Sequence, residues 1–356
     1  MSGADRLSGN EGVPVTVSLV TGGNGFIGQH LVDRLTADGD TVRVLDIEPP
    51  AKRHAKVEYV EGSVTDANAV REAIDGVHHL YHIAAIPHLW IPNPALFQNV
   101  NVAGTEIVFE EAARAQVARV VHTSSATVLI ERRGDHAPTT LNEEHRTREQ
   151  DLAGHYARSK WRAENVARSY ADRLEVVIVM PTLPLGPGDR HLTPPSRMLR
   201  DFVSGTNRAY ADCILNIVDV RDVAAGHHLA CRSGRSGERY LLNSHSLTMA
   251  SFLECLEGVT DRPMPKWKVP GGLALAASAV LELWSNLVSR QAPVAPLAGT
   301  RMSRRPITFD SAKAERELGL PSRPLVDTLT DAVAWLGREG HLKDDRGESL
   351  IALGDG

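Results

Sequence analysis

Hydrophobic and polar positions alternate in a regular order between residues 15 and 181. Short apolar runs typical of buried strands are separated by segments whose apolar residues recur with the period of a helix. The apolar runs are VTVSLV, TVRVLDI, VEYVEG, VHHLYHIAA, ARVVHTSSATV and LEVVIVMP. Strands that alternate with helices form βαβ units, so the pattern predicts an α/β fold with a doubly wound parallel sheet.

The regular alternation ends after Pro181. The stretch TLPLGPGDRHLTPPS is rich in proline and glycine and is expected to form a loop or lid. Beyond it we predict a helix in SRMLRDFVSG, a strand in NIVDV, a helix in DVAAGHHLACRS, a strand in RYLLNS and then mostly helices. The expected organisation is a tail at 1–13, a sheet domain at 14–180 that 216–245 rejoin, a smaller, mostly helical substrate domain at 181–215 and 246–345, and a tail at 346–356.

Composition and charge narrow the class of protein. The net charge of -5 gives no general attraction to nucleic acid or to an anionic membrane, so no nucleic-acid partner is expected. The three cysteines are far apart and not in metal-ligand spacing, so we expect neither a disulfide nor a bound metal. The polar N-terminus lacks the apolar run of a signal peptide, which predicts a disordered tail on a cytoplasmic protein.

Two segments leave alternatives open. The apolar stretch at 269–284 is shorter than the roughly 20 residues that a membrane span needs, so no span is expected. The helix predicted at 273–287 either faces the core of the small domain, which we expect, or lines an apolar pocket or touches a membrane surface beside Lys266 and Lys268. The charged segment 131–151 is expected to be a long surface loop that either gates a site or is simply solvated.

A glycine-rich turn between the first strand and the first helix, TGGNGFIG, predicts a dinucleotide site. Gly22, Gly25 and Gly28 have the spacing that permits a tight turn, a close approach of the backbone to a pyrophosphate, and close packing of helix on strand. The helix N-terminus offers unpaired N–H groups to the phosphates. Such a turn after the first strand of a βαβ unit is typical of Rossmann domains that bind NAD or NADP.

Asp46 ends the second predicted strand. A carboxylate at this position accepts hydrogen bonds from the adenosine ribose hydroxyls and repels a 2′-phosphate, so it favours NAD over NADP. An ordinary capping or loop aspartate is the alternative. Lys52 and Arg53 follow closely enough to soften the preference for NAD.

Hydroxyl groups at the end of another strand supply candidate chemistry. Thr123, Ser124 and Ser125 lie at the carboxyl end of a predicted strand, the edge that faces the ligand crevice in a doubly wound sheet. Farther along, Tyr156 and Lys160 are one helical turn apart. A serine hydroxyl can hydrogen-bond a substrate oxygen and Tyr156 can exchange a proton with it. The ammonium of Lys160 is expected to lower the pKa of the tyrosine and to hold the nicotinamide ribose.

The motifs TGGNGFIG, LDI, HIAA, NVAGT, HTSSATV, YARSK and GPGD occur in this order along the chain. In this the chain resembles the extended branch of the short-chain dehydrogenase/reductase superfamily, the NAD-dependent epimerase/dehydratase family, over nearly its whole length. The resemblance implies a bound NAD or NADP and places Ser125, Tyr156 and Lys160 in catalysis. Ser125 is chosen because it directly precedes ATV, as the catalytic serine of the family often does.

The resemblance also implies a set of cofactor contacts and a partner. The expected contacts are Gly22, Gly25, Phe26 and Ile27 at the pyrophosphate, Ser63 and Val64 at the adenine, Ala84 and Ala85 on the ribose-phosphate path, Pro181 and Leu183 near the nicotinamide, and Asp46, Ile47, Tyr156 and Lys160. The family usually has Gly-Asp where this chain has Gly62 and Ser63. Since helices near 102–116 and 153–170 often pair between two subunits of this superfamily, a homodimer is expected.

Three features of the sequence, compared with subgroups of this superfamily, narrow the class of reaction that the resemblance implies. Sugar-nucleotide dehydratases of the superfamily carry an Asp-Glu pair where this chain has Ala126 and Thr127. Nucleotide-sugar epimerases have polar contacts to the substrate diphosphate where this chain has Met180 and Leu215. The stretches SSATVLI, LNIVDVRDVAAGHHLA, KVPGGLALAASAVLELW and RPITFDSAKAERELGL look like the 3-beta-hydroxysteroid dehydrogenase and dihydroflavonol-reductase-like group.

The sequence therefore predicts an NAD-dependent oxidoreductase that interconverts a secondary alcohol and a ketone on a fairly apolar small molecule. A sugar epimerase with tightly bound NAD is the first alternative, and it would use the same residues. The second is a non-catalytic NAD-sensing or scaffold protein on the same fold. Proteins of that kind tend to lose the tyrosine, whereas this chain keeps Ser125, Tyr156 and Lys160 together.

Overall fold

The computed structural model describes residues 16–132, 139–293 and 295–342. The strands are β1 Val17–Thr21, β2 Thr41–Asp46, β3 Val57–Glu61, β4 His79–His82, β5 Arg119–Thr123, β6 Thr139–Leu141, β7 Glu175–Pro181, β8 Leu183–Leu185, β9 Tyr210–Ala211, β10 Ile214–Asp219, β11 Arg239–Leu242, β12 His245–Thr248, β13 Lys268–Val269 and β14 Ile307–Phe309. The α-helices are α1 Phe26–Ala37, α2 Ala67–Ile74, α3 Gly104–Arg114, α4 Gly154–Ser169, α5 Pro194–Val203, α6 Val220–Ser233, α7 Met249–Thr260, α8 Gly271–Trp284, α9 Leu297–Ser303, α10 Ala312–Leu318 and α11 Leu325–Arg338. The expected tails at 1–13 and 346–356 lie outside the described residues.

A seven-stranded sheet in the order β11-β7-β5-β4-β1-β2-β3 forms the frame of the molecule. Every pair of neighbouring strands in this sheet is parallel. The strand order reverses between β1 and β4, and in doubly wound sheets the ligand crevice lies at the carboxyl ends of the strands at this point. The predicted doubly wound parallel sheet is confirmed.

Helices cover both faces of the central sheet. On one face, α1 and α6 contribute Leu31, Leu35 and Val223 to a buried cluster that includes Val20 of β1. On the other face, α2 and α3 contribute residues such as Phe109 to a second cluster. Because both faces are buried, the strands read as continuous apolar runs rather than as an alternation of apolar and polar residues.

A second, smaller sheet departs from the predicted arrangement. The strand predicted in NIVDV was expected to return to the sheet domain with the rest of 216–245. Instead, β10 pairs with β8 and β12 in a three-stranded sheet, while α6 and β11 do join the central sheet. The stretch expected as a loop or lid thus supplies a strand, β8. The predicted place of this strand in the central sheet is wrong, because a single apolar run does not indicate which distant strand it will pair with.

The charged segment 131–151 is more ordered than a long loop within its described part. Strand β6 pairs in parallel with β14, and Glu149–Asp151 form a 3₁₀ turn. Residues 133–138 lie outside the described residues. The segment is therefore tied at Thr139–Leu141 to a strand that lies far along the chain.

The apolar helix α8 does not face the core, so that expectation is wrong. Its helical path continues through a π turn at Ser285–Ser289, and Gly271–Ser289 is the described helix that is long and apolar enough to cross a membrane by length and composition. The expectation that this apolar stretch is too short to span a membrane is therefore not supported by the length of the helix. Leu273, Trp284 and Leu287 are 65%, 58% and 70% exposed. Small polar residues occupy the buried side of the helix, which explains this orientation.

A buried ion pair joins α4 to the central sheet. The carboxylate of Glu164 accepts hydrogen bonds from the Ser124 hydroxyl at 2.6 Å and from the Arg239 guanidinium at 3.2 Å. Both members of the ion pair are buried. A buried charge is tolerated when it is paired and hydrogen-bonded, so α4, the end of β5 and the start of β11 are held in one arrangement.

We predict that Glu164→Ala lowers the free energy of unfolding by about 3 kcal/mol, because it leaves the guanidinium of Arg239 buried without its carboxylate. Urea denaturation of the purified protein measures the change. Glu175→Ala is the matched control, since it breaks an exposed ion pair with Arg119 and should cost less than about 1 kcal/mol. Equal losses for the two variants would contradict the structural importance of the buried pair.

Candidate active site

The glycine-rich turn lies at the carboxyl end of β1, in the crevice. Gly22 has φ +70°, and a Cβ atom there would lie 2.8 Å from Cα of Ala84. A Cβ atom at Gly28 would lie 2.1 Å from the Gly22 carbonyl oxygen. Helix α1 begins at Phe26 after Gly25, which provides no side-chain cap, so the first N–H groups of the helix remain available to an anion. This cradle fits the diphosphate of a dinucleotide.

Asp46 ends β2 beside the glycine turn. Its two carboxylate oxygens accept hydrogen bonds from the backbone N–H groups of Asn24 at 2.9 Å and Glu48 at 3.1 Å. The residue therefore does cap the loop, yet each oxygen keeps a lone pair with which it can accept a ribose hydroxyl. The guanidinium of Arg53, which was expected to soften the preference for NAD, stacks over the Tyr59 ring, and its Cζ atom lies 5.3 Å from the ring centroid.

The other predicted cofactor residues lie at the ends of neighbouring parallel strands. Ile47 follows Asp46, Ser63 and Val64 follow β3, Ala84 and Ala85 follow β4, Pro181 ends β7 and Leu183 begins β8. The central sheet brings these residues, apart from Leu183, to one edge because all of its strands point the same way, whereas Leu183 begins β8 of the smaller sheet, directly after β7. The Ser63 hydroxyl is bonded to Thr65 at 2.8 Å, while Val64 packs against Gly104. Ile47 is exposed and Pro181 is buried.

Ser125 and Tyr156 meet at the end of β5. Ser125 begins a 3₁₀ turn, and its hydroxyl accepts hydrogen bonds from the N–H and the hydroxyl of Thr127 at 3.2 and 3.0 Å. Burial raises the pKa of Tyr156, and a side-chain hydrogen bond with Ser125 opposes the rise. Ser124 points the other way, to Glu164. The two serines are therefore distinguished: Ser124 bonds to Glu164, and Ser125 is the one that interacts with the phenol.

Lys160 occupies a different position from the one expected. Its ammonium donates to the backbone carbonyl of Thr123. Burial lowers the pKa of Lys160 to about 8, and the Glu164 carboxylate opposes the shift. Lys160 does not lower the pKa of Tyr156 here, so the expected direction is wrong for this arrangement. The physical reason is that burial of the phenol has the largest effect on the pKa of Tyr156. The ammonium of Lys160 instead donates its hydrogen bond to the Thr123 carbonyl at the end of β5.

Asn101 is a positioning residue that the sequence reasoning did not single out. It lies in the π-helical segment Phe97–Ala103 and is buried. Its amide accepts from the Ile86 N–H at 2.8 Å and donates to the Ile86 carbonyl at 3.3 Å and to the Ser159 hydroxyl at 3.0 Å. It thus ties the loop after β4 to the helix that carries Tyr156. The signal was present in the NVAGT motif, but the role of its asparagine depends on contacts far along the chain.

Three buried histidines lie beneath the site. Burial lowers the pKa of His82 to about 3 and of His227 to about 4, and the pKa of His122 also falls well below its ordinary value. The Nδ1 atom of His227 lies 2.8 Å from the Val223 carbonyl, to which it must donate. Its Nε2 atom therefore accepts from the Thr123 hydroxyl at 2.8 Å. These neutral rings surround the end of β5 without adding charge.

The fold and the glycine cradle define a dinucleotide-binding Rossmann protein. Residues 18–242 match the model of the NAD dependent epimerase/dehydratase family. The chain belongs to this family, which is the extended short-chain dehydrogenase/reductase group predicted from the order of motifs.

Three relatives are similar to this protein over most of the chain. A protein named putative dihydroflavonol 4-reductase from Synechocystis is 34% identical and the match covers 91% of this chain and 95% of that protein. Sterol demethylase protein B from Methylococcus capsulatus is 32% identical over 91% of this chain and 99% of the relative. A 3 beta-hydroxysteroid dehydrogenase/Delta 5-->4-isomerase from Mycobacterium tuberculosis is 30% identical over 89% of each chain. The predicted likeness to both groups is confirmed.

We expect Gly25→Ala to weaken NAD binding by about tenfold or more, because a methyl group would stand where the diphosphate approaches the backbone. The fold should persist, since a Cβ atom at Gly25 would meet only the Gly22 carbonyl, at 3.3 Å. Calorimetric titration with NAD measures the change. Gly258→Ala, in open space on α7, is the control and should bind NAD like the unaltered protein. Unchanged affinity in Gly25→Ala would place the diphosphate elsewhere.

The buried ammonium of Lys160 should make the free energy of unfolding depend on pH. Lys160 has a pKa of about 8 in the folded protein against an ordinary value of 10.5. Between these pH values the unfolded chain binds a proton that the folded chain does not, so stability rises with pH there. We expect the free energy of unfolding of the cofactor-free protein to rise relative to Lys160→Met by up to about 1.4 kcal/mol per pH unit. Urea denaturation across this pH range tests it, and a constant difference would contradict it.

Proposed function

We propose that this protein is an NAD-dependent oxidoreductase that interconverts a secondary alcohol and a ketone on a fairly apolar small molecule. The observation that carries the proposal is that the Ser125 hydroxyl and the Tyr156 phenol interact at the end of β5, while Ser124 is bonded to Glu164 instead. The pair lies at the same edge of the sheet as the glycine cradle. The NAD preference rests on Asp46, whose negative charge opposes a 2′-phosphate.

Tyr156, Ser125 and Lys160 each have a separate role in the proposed reaction. In the oxidation, Tyr156 accepts the hydroxyl proton of the substrate, and in the reduction it returns a proton to the ketone oxygen. Ser125 donates a hydrogen bond to that oxygen and orients it. Lys160, one helical turn away, would turn from the Thr123 carbonyl toward the ribose and the phenol. The glycine turn and Asp46 would hold NAD, which would supply the hydride acceptor for the oxidation and, in its reduced form, the hydride donor for the reduction.

The similarity to proteins named for sterol, steroid and flavonol chemistry supports an apolar substrate with a secondary alcohol or ketone. Met180 and Leu215, which replace the polar diphosphate contacts of epimerases, are buried in apolar clusters. A sugar diphosphate would find no charged partner in either side chain.

Tyr156→Phe should lower turnover at least about 100-fold, because the proton donor and acceptor is lost. NAD affinity should stay within about twofold, since the phenol oxygen contributes little to cofactor binding. The assay follows NADH formation with a panel of 3-hydroxysteroids and flavan-type alcohols, and titration compares NAD with NADP. Tyr170→Phe is the matched control, as it removes a hydroxyl bonded to Glu110 at the far end of the same helix.

Retained turnover in Tyr156→Phe would overturn the assigned role of the tyrosine. The nucleotide content of the freshly purified protein separates the reaction classes. An empty site that binds NAD reversibly supports a dehydrogenase, while nearly one NAD per chain surviving gel filtration would indicate an epimerase that recycles its cofactor. Tighter binding of NADP would overturn the role given to Asp46.

A further inference from the structure

The helical stretch Gly271–Ser289 has its polar and apolar sides inverted with respect to an ordinary surface helix. Its exposed side carries large apolar residues, and its buried side carries small polar ones. The exposed residues are Leu273, Val280, Leu281, Leu283, Trp284, Leu287 and Val288. Ser278 and Ser285 are buried and lie about two helical turns apart, on the same side of the helix. A contiguous apolar face of this size marks a surface that meets an apolar partner.

Hydrogen bonds on the buried side hold this orientation. The Ser278 hydroxyl bonds to the Thr300 hydroxyl at 2.7 Å, and the Glu282 carboxylate accepts from the Leu297 N–H at 2.7 Å. The indole N–H of Trp90 donates to the Asn286 side chain at 3.0 Å. Rotation of the helix to bury its apolar side would break all three contacts. The exposed face is therefore the orientation that the surrounding structure requires.

Positive charge surrounds the apolar face. The segment 263–306 contains six lysines and arginines and one carboxylate, in a chain whose net charge is -5. Lys266 is exposed just before the helix and Arg290 is exposed at its end, while Lys268, also exposed, is paired with the carboxylate of Asp212 at 2.6 Å. The single carboxylate, Glu282, is bonded to the backbone of α9. The net charge of the whole chain thus conceals a local patch that attracts anions.

Two tryptophans accompany the cations. Trp267 lies between Lys266 and Lys268 and is 75% exposed, and Trp284 is 58% exposed. Indole rings favour the boundary between water and acyl chains because one edge is polar and the rest is apolar. Apolar residues, flanking cations and exposed tryptophans together are typical of helices that lie in a membrane interface.

We infer that this face lies on a membrane surface that contains anionic lipids, with the helix Gly271–Ser289 parallel to the surface. The helix lies rather than spans because its polar side stays bonded to α9 and to Trp90. Pairing with a second copy of the chain would bring two cationic patches together, so charge favours the lipid surface. The contact also adjoins the proposed site: Ala298 of α9 packs against Gly154, which begins the helix that carries Tyr156.

Vesicle flotation with the full chain tests the inference. The protein is mixed with vesicles of phosphatidylcholine alone or of phosphatidylcholine with phosphatidylglycerol, and the bound fraction is measured. Binding should be stronger to the vesicles with phosphatidylglycerol and should weaken as salt rises, because salt screens the attraction of the cations. Absence of binding to either kind of vesicle would overturn the inference.

The double variant Val280→Glu/Leu287→Glu places two carboxylates on the apolar face. Both positions are exposed, so folding should be preserved, and thermal unfolding checks this. Partitioning onto the anionic vesicles should fall at least about tenfold. Val326→Glu is the matched control: Val326 is an exposed apolar residue of α11, outside the segment, and this variant should bind like the unaltered protein.

Two further outcomes decide the occupant of the face. Unchanged vesicle binding in the double variant would overturn the inference. A dimer in light scattering that the double variant converts to a monomer, without vesicle binding, would assign the face to a second copy and would also overturn it. Tyr156→Phe should bind vesicles normally, so failure of membrane binding and failure of the proposed reaction are distinguished.

Discussion

The candidate site depends on one buried carboxylate. Glu164 connects α4 to the end of β5 through Ser124 and to β11 through Arg239. Tyr156 and Lys160 lie on the same helix, and Ser125 follows Ser124 along the chain. The approach of the Tyr156 phenol to the Ser125 hydroxyl is therefore supported by a contact that touches neither group. A carboxylate that must be paired because it is buried holds the geometry that proton transfer would need.

Features that depend on neighbouring residues could be predicted from the sequence. The alternating apolar runs predict the strands of the central sheet, and the GxxGxxG spacing predicts the turn in which Gly22 has positive φ. Even the two interpretations of Asp46 could be stated in advance. The structure shows the capping contacts, and these leave room for the ribose contact, so the two roles are compatible.

Features that depend on distant residues could not be predicted. The pattern of β10 indicates a strand but not its partners, which come from β8 and β12. Lys160 turns to the Thr123 carbonyl because a buried ammonium takes the nearest acceptor, and sequence spacing does not reveal that acceptor. The orientation of α8 was missed for a related reason. Hydrophobicity alone favours burial, whereas the polar partners offered by α9 and Trp90 decide which side faces inward.

The proposed membrane contact of α8 determines which substrate concentration, that in the bilayer or that in water, would govern the rate of such an enzyme. A protein held at a lipid surface meets a lipid-soluble substrate by lateral diffusion in two dimensions. Its rate then follows the mole fraction of substrate in the bilayer, so adding inert lipid would slow turnover at constant total substrate. Assays in buffer without lipid would miss most of this behaviour.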